Sequence, residues 1–220
     1  NKLYQEDRLL RSWREGTAAH NAYLEDYAAL ILGLLALYQS DPETRWFAEA
    51  HKLAEEMIAH FSDPAGGFFD TRDDHQKLLT RPKEVQDNAT PSGNALAALA
   101  LLQLAAYTGR GDWRDIAERM LAGMADAASQ YPTAFGEWLQ AMSFTLAEGH
   151  EIAILTDGDG ANTHALLDAL WAEWRPCDVV AIAQHPPAEG APPLLGDRPL
   201  VDGHPSAYVC QNFVCQSPGT

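Results

Sequence analysis

Two apolar stretches, AALILGLLAL at residues 28–37 and ALAALALLQLAA at residues 95–106, decide the fold that this chain predicts. Neither contains a charged residue, and Gln103 is the only polar side chain in the two. A helix that is apolar on all sides has to be buried. We therefore expect two buried helices, one over residues 23–38 and one that begins at residue 92.

Each buried segment is followed by a segment with a single apolar face. Residues 43–61 and the segment that begins near Asp112 place apolar side chains at helical spacing, with polar and charged residues between them. A further helix is predicted over residues 133–147, after Pro132. Buried and one-sided helices that alternate in this way are typical of helical hairpins arranged as an inner and an outer ring. For residues 1–150, after a turn-rich or hairpin lead-in over residues 1–20, the pattern predicts a mainly α fold, a partial (α/α) toroid.

The composition changes after residue 150. Residues 151–155 read EIAIL and residues 179–182 read VVAI, and a helix is predicted between them over residues 162–174. Strand, helix and strand at this spacing indicate a parallel crossover unit. We expect a second region, residues 151–220, that contains this small βαβ-like unit and an irregular tail rich in Pro and Gly.

Charge and cysteine content narrow the possible partners. The 220 residues carry a formal charge of −16, which argues against a nucleic-acid partner and against an anionic membrane surface. The apolar runs are shorter than the roughly 20 residues that span a bilayer, and no leader pattern opens the chain. Three cysteines cannot all pair within the chain, which favours a reducing compartment. We expect a cytoplasmic soluble protein, or a piece of one.

The long connection over residues 65–91 is where the sequence places a site, because long connections are often functional. In a ring of antiparallel hairpins the inner helices all point the same way, so their N-termini share one rim with the preceding loops. Carboxylates, cations and amides on one rim suit hydrogen bonding to sugar hydroxyls and general acid–base chemistry. The candidate catalytic residues are Glu25, Asp26, Glu84 and Asp87, and the candidate substrate-binding residues are Arg81, Lys83, Ser92 and Asn94.

Structural roles are open for the same residues. Glu25 and Asp26 would complement the dipole of the first helix, and only one of them is expected to face the rim, because consecutive helical residues point 100° apart. The charged residues of the long connection would order it by ion pairs. Ser92 would cap the third helix, and Asn94 would form hydrogen bonds in the core.

Cys210 and Cys215 are separated by four residues and would form a disulfide if the segment between them closes on itself. Structural cysteines are the favoured interpretation, and redox activity or metal binding are the alternatives. With His204 the two thiols do not complete a zinc site at a familiar spacing, and DGDG at residues 157–160 lacks the ligand pattern of a calcium loop. We expect no metal and no cofactor, although carboxylates on the rim leave a divalent cation as a third possibility.

Several motifs occur in an order that resembles one family. They are LEDYA at residues 24–28, GGFF at 66–69, RPKE at 81–84, DNATPSGN at 87–94 and AYVCQNFVC at 207–215. Together they resemble the C-terminal third of the large thioredoxin-domain-containing proteins that include the spermatogenesis-associated thioredoxin-like proteins. The resemblance implies a six-hairpin glycosidase-like (α/α) barrel, which in full members follows a thioredoxin-like domain. It also implies that this domain and the rest of the barrel are partners of the chain in one full-length protein.

Two functional hypotheses follow. The barrel class includes sugar 2-epimerases and glycoside hydrolases, so the leading hypothesis is a sugar-binding, hydrolysing or isomerising enzyme with its site at the N-terminal rim of the inner helices. A hydrolase needs two carboxylates on opposite sides of the scissile bond, and Glu25 or Asp26 facing Glu84 or Asp87 would supply them. The alternative is a non-catalytic interaction or redox-partner module of a thioredoxin-like domain, supported by the Cys210 and Cys215 pair and the acidic composition.

Overall fold

The computed structural model describes residues 2–5, 8–75, 80–147, 149–211 and 214–219. The helices are α1 (Leu24–Ser40), α2 (Thr44–Phe61), α3 (Gly93–Thr108), α4 (Gly111–Gln130), α5 (Gly136–Leu146) and α6 (Ala161–Trp171). The strands are β1 (Tyr4–Gln5), β2 (Arg8–Arg14), β3 (Thr17–Asn21), β4 (Glu151–Thr156), β5 (Val179–Gln184), β6 (Ser206–Gln211) and β7 (Val214–Cys215). None of the described helices is both long enough and apolar enough to cross a membrane.

Helix α3 lies at the centre of the helical region. All but three of its sixteen residues are buried, because α1 and α5 pack on its flanks and α4 packs beside it. The one-sided helices α2 and α4 bury the predicted stripes, including Phe47 and Met57 in α2 and Trp113 and Met120 in α4. Helix α3 is therefore buried as the sequence predicts, and α2 and α4 are the predicted one-sided helices.

Helix α1 differs from the expectation of burial on all sides. It packs on α2, α3 and β5, yet Ala29, Gly33, Ala36 and Leu37 are exposed, with Leu37 at 46%. These four residues recur at helical spacing and form one apolar side, which we call the free side of α1. The free side is uncovered because, in the described part of the chain, the neighbours of α1 lie on its other sides.

The described residues that precede α1 contain a three-stranded sheet, in line with the hairpin alternative of the sequence analysis. Strands β1, β2 and β3 are antiparallel, and Arg14 pairs with Thr17 across a two-residue turn. Glu15 and Gly16 in that turn both have positive φ, of 50° and 85°, as the turn that best fits the twist of a hairpin requires. The backbone N–H of Leu9 donates to the hydroxyl of Tyr27 over 3.2 Å, which ties this sheet to α1.

The C-terminal sheet has the strand order β5-β4-β6-β7, with β4 and β5 parallel and joined through α6. Successive side chains of its strands point to opposite faces of the sheet. Ala153 and Ala181 join the core of the helical region, whereas Ile152 and Ile154 pack with Leu170 of α6. The helical and the C-terminal regions therefore share one core. Proline-rich residues 186–202 contain only a short 3-10 turn, Pro193–Leu195, before β6 begins.

Two tyrosines anchor this sheet to the C-terminal ends of α1 and α3. The hydroxyl of Tyr38 donates to the carbonyl of Ile182 over 3.4 Å, and that of Tyr107 donates to the carbonyl of Val180 over 3.0 Å. Burial raises the pKa of both phenols, so both stay protonated and able to donate. The sheet thus occupies the end of the helices opposite to their N-termini.

The N-termini of α1 and α3 approach each other at Gly93. A Cβ atom there would lie 3.0 Å from the backbone nitrogen of Glu25 and 3.2 Å from Cγ of Leu24. Any side chain at this position would push the two helices apart. Glycine at the start of α3 is therefore required by packing.

We expect Gly93→Ala to lower the free energy of unfolding by about 1–3 kcal/mol, the usual cost of overpacking. The matched control is Gly123→Ala in α4, where a Cβ would meet no atom within 4 Å; it should raise stability by about 0.5–1 kcal/mol through helix propensity. Urea denaturation measures both. Equal effects of the two substitutions would contradict the close approach of α1 and α3.

Candidate functional site

The N-termini of α1, α3 and α5 are held together by residues 62–75 and 80–92 of the connection between α2 and α3. The backbone N–H of Leu24 donates to the carbonyl of Asp70 over 2.9 Å. The Asp87 carboxylate accepts the N–H of Ser92 at the start of α3 and the N–H of Glu137 at the start of α5, each over 2.8 Å. We call these three helix ends and the connection the rim.

A cavity of about 310 Å³ opens on the rim. We call it the rim cavity, and it is lined by Arg11, Tyr23, Glu25, Asp70, Pro82, Glu84, Gln86, Asn88, Thr90, Pro91, Ser92 and Gly93. Of the residues predicted as a site, Glu25, Glu84 and Ser92 are brought together here. Asp26, Asp87, Arg81, Lys83 and Asn94 do not line this cavity.

Arg11 from β2 and the first turn of α1 form one wall of the rim cavity. The Arg11 guanidinium lies 2.7 Å from Glu25 Oε1 and 3.7 Å from Asp26 Oδ1, and 5.2 Å from the centroid of the Tyr23 ring. The hydrogen bond to Glu25 raises the pKa of Arg11. A cation, a carboxylate and an aromatic ring therefore stand side by side.

Asp26 has a local role at the start of α1. Its Oδ2 atom accepts the backbone N–H of Tyr23 over 2.8 Å, which completes a capping box. Burial raises the pKa of Asp26 despite this bond and the nearby Arg11. As expected for consecutive helical residues, only one of the two faces the rim cavity. Glu25 does so, whereas Asp26 accepts a backbone N–H at the start of α1.

Asp70 is a carboxylate of the rim cavity that the sequence analysis missed. It is half-buried, and its two oxygens accept the backbone N–H of Glu84 over 3.2 and 3.0 Å. Burial raises the pKa of Asp70, and the nearby charges of Glu84 and Glu25 raise it further. The signal was present in the sequence, since Asp70 follows the GGFF motif directly.

The cations of the connection hold the loop itself. Arg81 donates to the carbonyls of His60, over 3.1 Å, and Thr71, and its guanidinium lies 4.2 Å from the centroid of the Phe69 ring. Lys83 Nζ lies 2.9 Å from Asp63 Oδ2 and also donates to the carbonyl of a loop glycine, Gly66. The predicted ion-pair cluster is therefore not formed: among the described residues of the connection Lys83 pairs with Asp63, whereas Arg81 binds backbone carbonyls.

Asn94 is 1% exposed and forms three hydrogen bonds. Its Oδ1 accepts the N–H of Phe68 over 2.9 Å, and its Nδ2 donates to the carbonyls of Phe68 over 2.9 Å and Glu84 over 3.3 Å. At Gly67, where φ is +69°, a Cβ would lie 2.9 Å from this Oδ1. Asn94 therefore fixes the GGFF turn against α3, and Ser92 caps the same helix by accepting the N–H of Ala95 over 3.4 Å.

A second cavity, of about 550 Å³, lies on the other side of the GGFF turn. Its walls include Met120, Met124 and Trp138 together with the cations Lys83 and Arg119. The carboxylate in its lining, Asp63, is paired with Lys83. The rim cavity is therefore the better candidate for acid–base chemistry, because three carboxylates line it.

Cys210 and Cys215 form a disulfide between facing positions of β6 and β7. Asn212 and Phe213 of the AYVCQNFVC motif lie outside the described residues. Among the residues that the structure describes, no group of three or more His, Cys, Asp or Glu side chains is placed to hold a metal ion.

Fold and cavity together define a helical protein with a carboxylate-lined pocket at one end. The chain is 31% identical over 215 residues to Spermatogenesis-associated protein 20 of Homo sapiens, covering 93% of this chain and 27% of that protein. The Mus musculus protein of the same name is 30% identical over 203 residues, covering 90% and 26%. An uncharacterized protein of Caenorhabditis elegans is 24% identical over 213 residues, covering 93% and 28%. No family model matches the chain.

The chain thus spans about a quarter of the length of these relatives. These matches support the resemblance to spermatogenesis-associated proteins that the motifs indicate. The thioredoxin-like domain and the (α/α) barrel remain proposals.

We expect Asp70→Asn to raise the stability of the protein at neutral pH. The raised pKa means that the folded protein favours the protonated carboxyl, so ionised Asp70 opposes folding above that pKa. Asparagine keeps an acceptor for the N–H of Glu84 without the charge. The gain should shrink as pH falls through the raised pKa and vanish below the ordinary range of aspartate, as urea denaturation across pH would show.

Asp112→Asn provides a control of opposite sign. A hydrogen bond from Arg110 lowers the pKa of Asp112, so its charge favours the folded state, and this benefit is lost as pH falls through the lowered pKa. Its substitution should lower stability at neutral pH. The same sign for both substitutions would contradict the contrast drawn between these carboxyls.

Proposed function

We propose that the rim cavity binds a carbohydrate, and that the chain is part of a sugar-binding, hydrolysing or isomerising enzyme built on a six-hairpin glycosidase-like (α/α) toroid. The observation that carries this proposal is the convergence of Glu25, Asp70 and Glu84 with Arg11 and the Tyr23 ring in one cavity. Sugar hydroxyls form hydrogen bonds with such charged groups, and convergent polar groups in a concave site fix the orientation of a ligand.

The different surroundings of the carboxyls suggest different roles. Asp70, with its raised pKa, is the proposed proton donor, since a general acid must hold its proton near the working pH. Glu25, paired with Arg11, is the proposed base or nucleophile. Glycoside hydrolysis uses two carboxyls in different surroundings, so that one donates a proton and the other acts as base or nucleophile. An isomerase would instead need a proton shuttle, commonly a histidine, and among the described residues no histidine lines the rim cavity, which favours binding or hydrolysis over isomerisation.

The toroid part of the proposal rests on the order of packing. Helix α3 lies between α1 and α5, while α2 and α4 each pack beside the helix that precedes them. The N-termini of α1, α3 and α5 all meet at the rim. Parallel inner helices with antiparallel partners outside them are the arrangement that repeats around a ring of hairpins.

We expect one or more mono- or disaccharides to raise the melting temperature of the protein. A ligand at 100 times its dissociation constant adds about 2.7 kcal/mol to stability, which a thermal-shift screen detects. Glu25→Gln and Asp70→Asn should abolish the shift. Glu49→Gln, an exposed carboxylate of α2, should leave it intact.

A shift that survives both rim substitutions would place the sugar elsewhere and overturn the assignment of the rim cavity. A screen in which no sugar raises the melting temperature would favour the alternative, a non-catalytic interaction or redox-partner module. Activity on a sugar identified in the screen, followed with the same variants, then separates binding from catalysis.

We also propose that the free side of α1 packs against the rest of the barrel, and that a thioredoxin-like domain belongs to the same full-length protein, in the cytoplasm. The support is the free side itself, since contiguous exposed apolar surface marks a contact site. The relatives, being about four times as long as the matched region, have sufficient chain for such partners.

We expect the chain studied alone to self-associate through the free side of α1. Leu37→Glu, which places a charge on that side, should shift the sedimentation profile toward the monomer. Trp174→Glu replaces an apolar residue that is 89% exposed away from α1 and should have no effect. Association that is unchanged by Leu37→Glu, or that responds equally to Trp174→Glu, would refute the contact.

A further inference from the structure

Arg198 lies against both sulfur atoms of the Cys210–Cys215 disulfide. Its Nη2 atom is 3.4 Å from Cys210 Sγ and 3.2 Å from Cys215 Sγ. Its Nη1 atom donates to the carbonyl of Gly196 over 3.0 Å, and its ring contact is with Tyr208, 5.8 Å from the centroid. The guanidinium is thereby held beside a bond that carries no charge.

The contacts of Arg198 do not use its full hydrogen-bonding capacity. Its Nε atom is buried and has no hydrogen-bond partner among the described residues. Burial lowers the pKa of Arg198, while the charges of Tyr208, Asp197 and Glu151 act in the opposite direction. A disulfide sulfur is a weak acceptor, whereas a thiolate is a full anion. The reduced state therefore suits this guanidinium better than the oxidised state does.

The two sulfurs differ in access. Cys210 is 1% exposed, whereas Cys215 is exposed and follows Val214, which is 75% exposed on the edge strand β7. An incoming thiolate can reach Cys215, and the leaving sulfur would then be that of Cys210, beside Arg198. Exposure at one sulfur and charge stabilisation at the other are the conditions that favour thiol–disulfide exchange.

The position of the bond gives it little value as a structural brace. It joins residues five apart in sequence within one hairpin, and short loops gain least from closure because they remove little entropy from the unfolded chain. It does not connect β6 to the helices or to β4. Disulfides in a reducing compartment, when present, are usually transient and serve redox chemistry.

We propose that Cys210, Cys215 and Arg198 form a redox-active site that exchanges electrons with a dithiol. One thiolate of the dithiol attacks Cys215 Sγ, a new S–S bond forms, and the Cys210–Cys215 bond breaks with its electron pair on Cys210. The second thiolate of the dithiol then attacks the first sulfur of the dithiol, which is bonded to Cys215 in the mixed disulfide. An S–S bond forms within the dithiol, and Cys215 leaves as a thiolate. The dithiol is oxidised to a disulfide, and the protein gains two electrons and, after protonation, two thiols.

Arg198 is a positioning residue in this exchange, because its guanidinium lies beside each cysteine sulfur and stabilises that sulfur when it becomes a thiolate. This inference is independent of the carbohydrate proposal, because none of its three residues lines the rim cavity. Failure of one proposal leaves the other standing.

The test uses the folded chain with a Cys177→Ser substitution, so that only the pair reacts. The protein is equilibrated with mixtures of reduced and oxidised dithiothreitol, and the fraction reduced is read from alkylation by mass spectrometry. We expect full, reversible reduction with the circular dichroism spectrum retained. Arg198→Gln should shift the equilibrium toward the disulfide by roughly tenfold, which corresponds to about 30 mV. Arg198→Lys should recover part of the shift, and Arg175→Gln, an exposed arginine paired with Glu173, should cause none.

A second measurement does not depend on any Arg198 variant. In the reduced chain with all three cysteines, Cys215 should react with iodoacetamide faster at neutral pH than Cys177, whose pKa is raised by burial and by Asp178. Reduction that occurs only on unfolding would show a structural brace and overturn the proposal. An equilibrium unchanged in Arg198→Gln, or alkylation of Cys215 no faster than that of Cys177, would overturn the role of Arg198.

Discussion

Because α3 is buried along nearly its whole length, the amide and carbonyl groups that its two ends leave unpaired must find partners inside the protein. At the N-terminus, Asp87 accepts the N–H of Ser92, and Ser92 in turn accepts the N–H of Ala95. At the C-terminus, Gly109 adopts the left-handed conformation and its N–H returns to the carbonyl of Ala105. The long connection therefore has two roles: it binds the unpaired N–H groups at the start of α3, and it also binds the N-termini of α1 and α5.

The charged residues at the rim are of two kinds, those that order the connection without lining the rim cavity and those that line it. Asp87, Lys83 and Arg81 bond to backbone groups or to a partner charge and order the connection. Asp70 is different, because among the described carboxyls whose pKa is raised, Asp26, Asp70 and Glu137, it alone lines the rim cavity. A carboxyl that opposes folding at neutral pH is hard to explain by stability, and such groups concentrate at functional sites. The assignment of a function to the rim therefore depends more on Asp70 than on the residues that the motifs emphasise.

The sequence predicts the helices well because their signal is local. Uncharged runs and one-sided stripes locate α1 to α4, and the strands β4 and β5 follow from short apolar runs with a helix between them. A partial barrel is expected to expose apolar inner helices, but which side of α1 is exposed was not predictable, because burial depends on which neighbours the chain supplies. The site was predicted only in part, since motif positions do not say which side chain turns toward a cavity. Glu25 does so and Asp26 does not. Asp70 follows the GGFF motif, but only the folded loop shows that its carboxyl lies at the rim cavity beside the N–H of Glu84.

The two proposed sites lie in different parts of one core. Helix α1 has 17 residues, so about 25 Å separates its two ends. The rim is at one end, and Tyr38 and Tyr107 bind the C-terminal sheet at the other. Within that sheet the disulfide lies on β6 and the edge strand β7, whereas the tyrosines contact β5. A chemical change at the sulfurs would reach the helices through the sheet or through the 3-10 turn Pro193–Leu195, which contacts α3, and would then have to pass along a packed helix before it altered the rim. Packed helices move as rigid elements rather than deform, so coupling would need two alternative arrangements of the sheet on α1 and α3. The tyrosine anchors favour a single arrangement, and on that ground the sugar binding proposed for the rim and the thiol exchange proposed for the hairpin would be independent of each other.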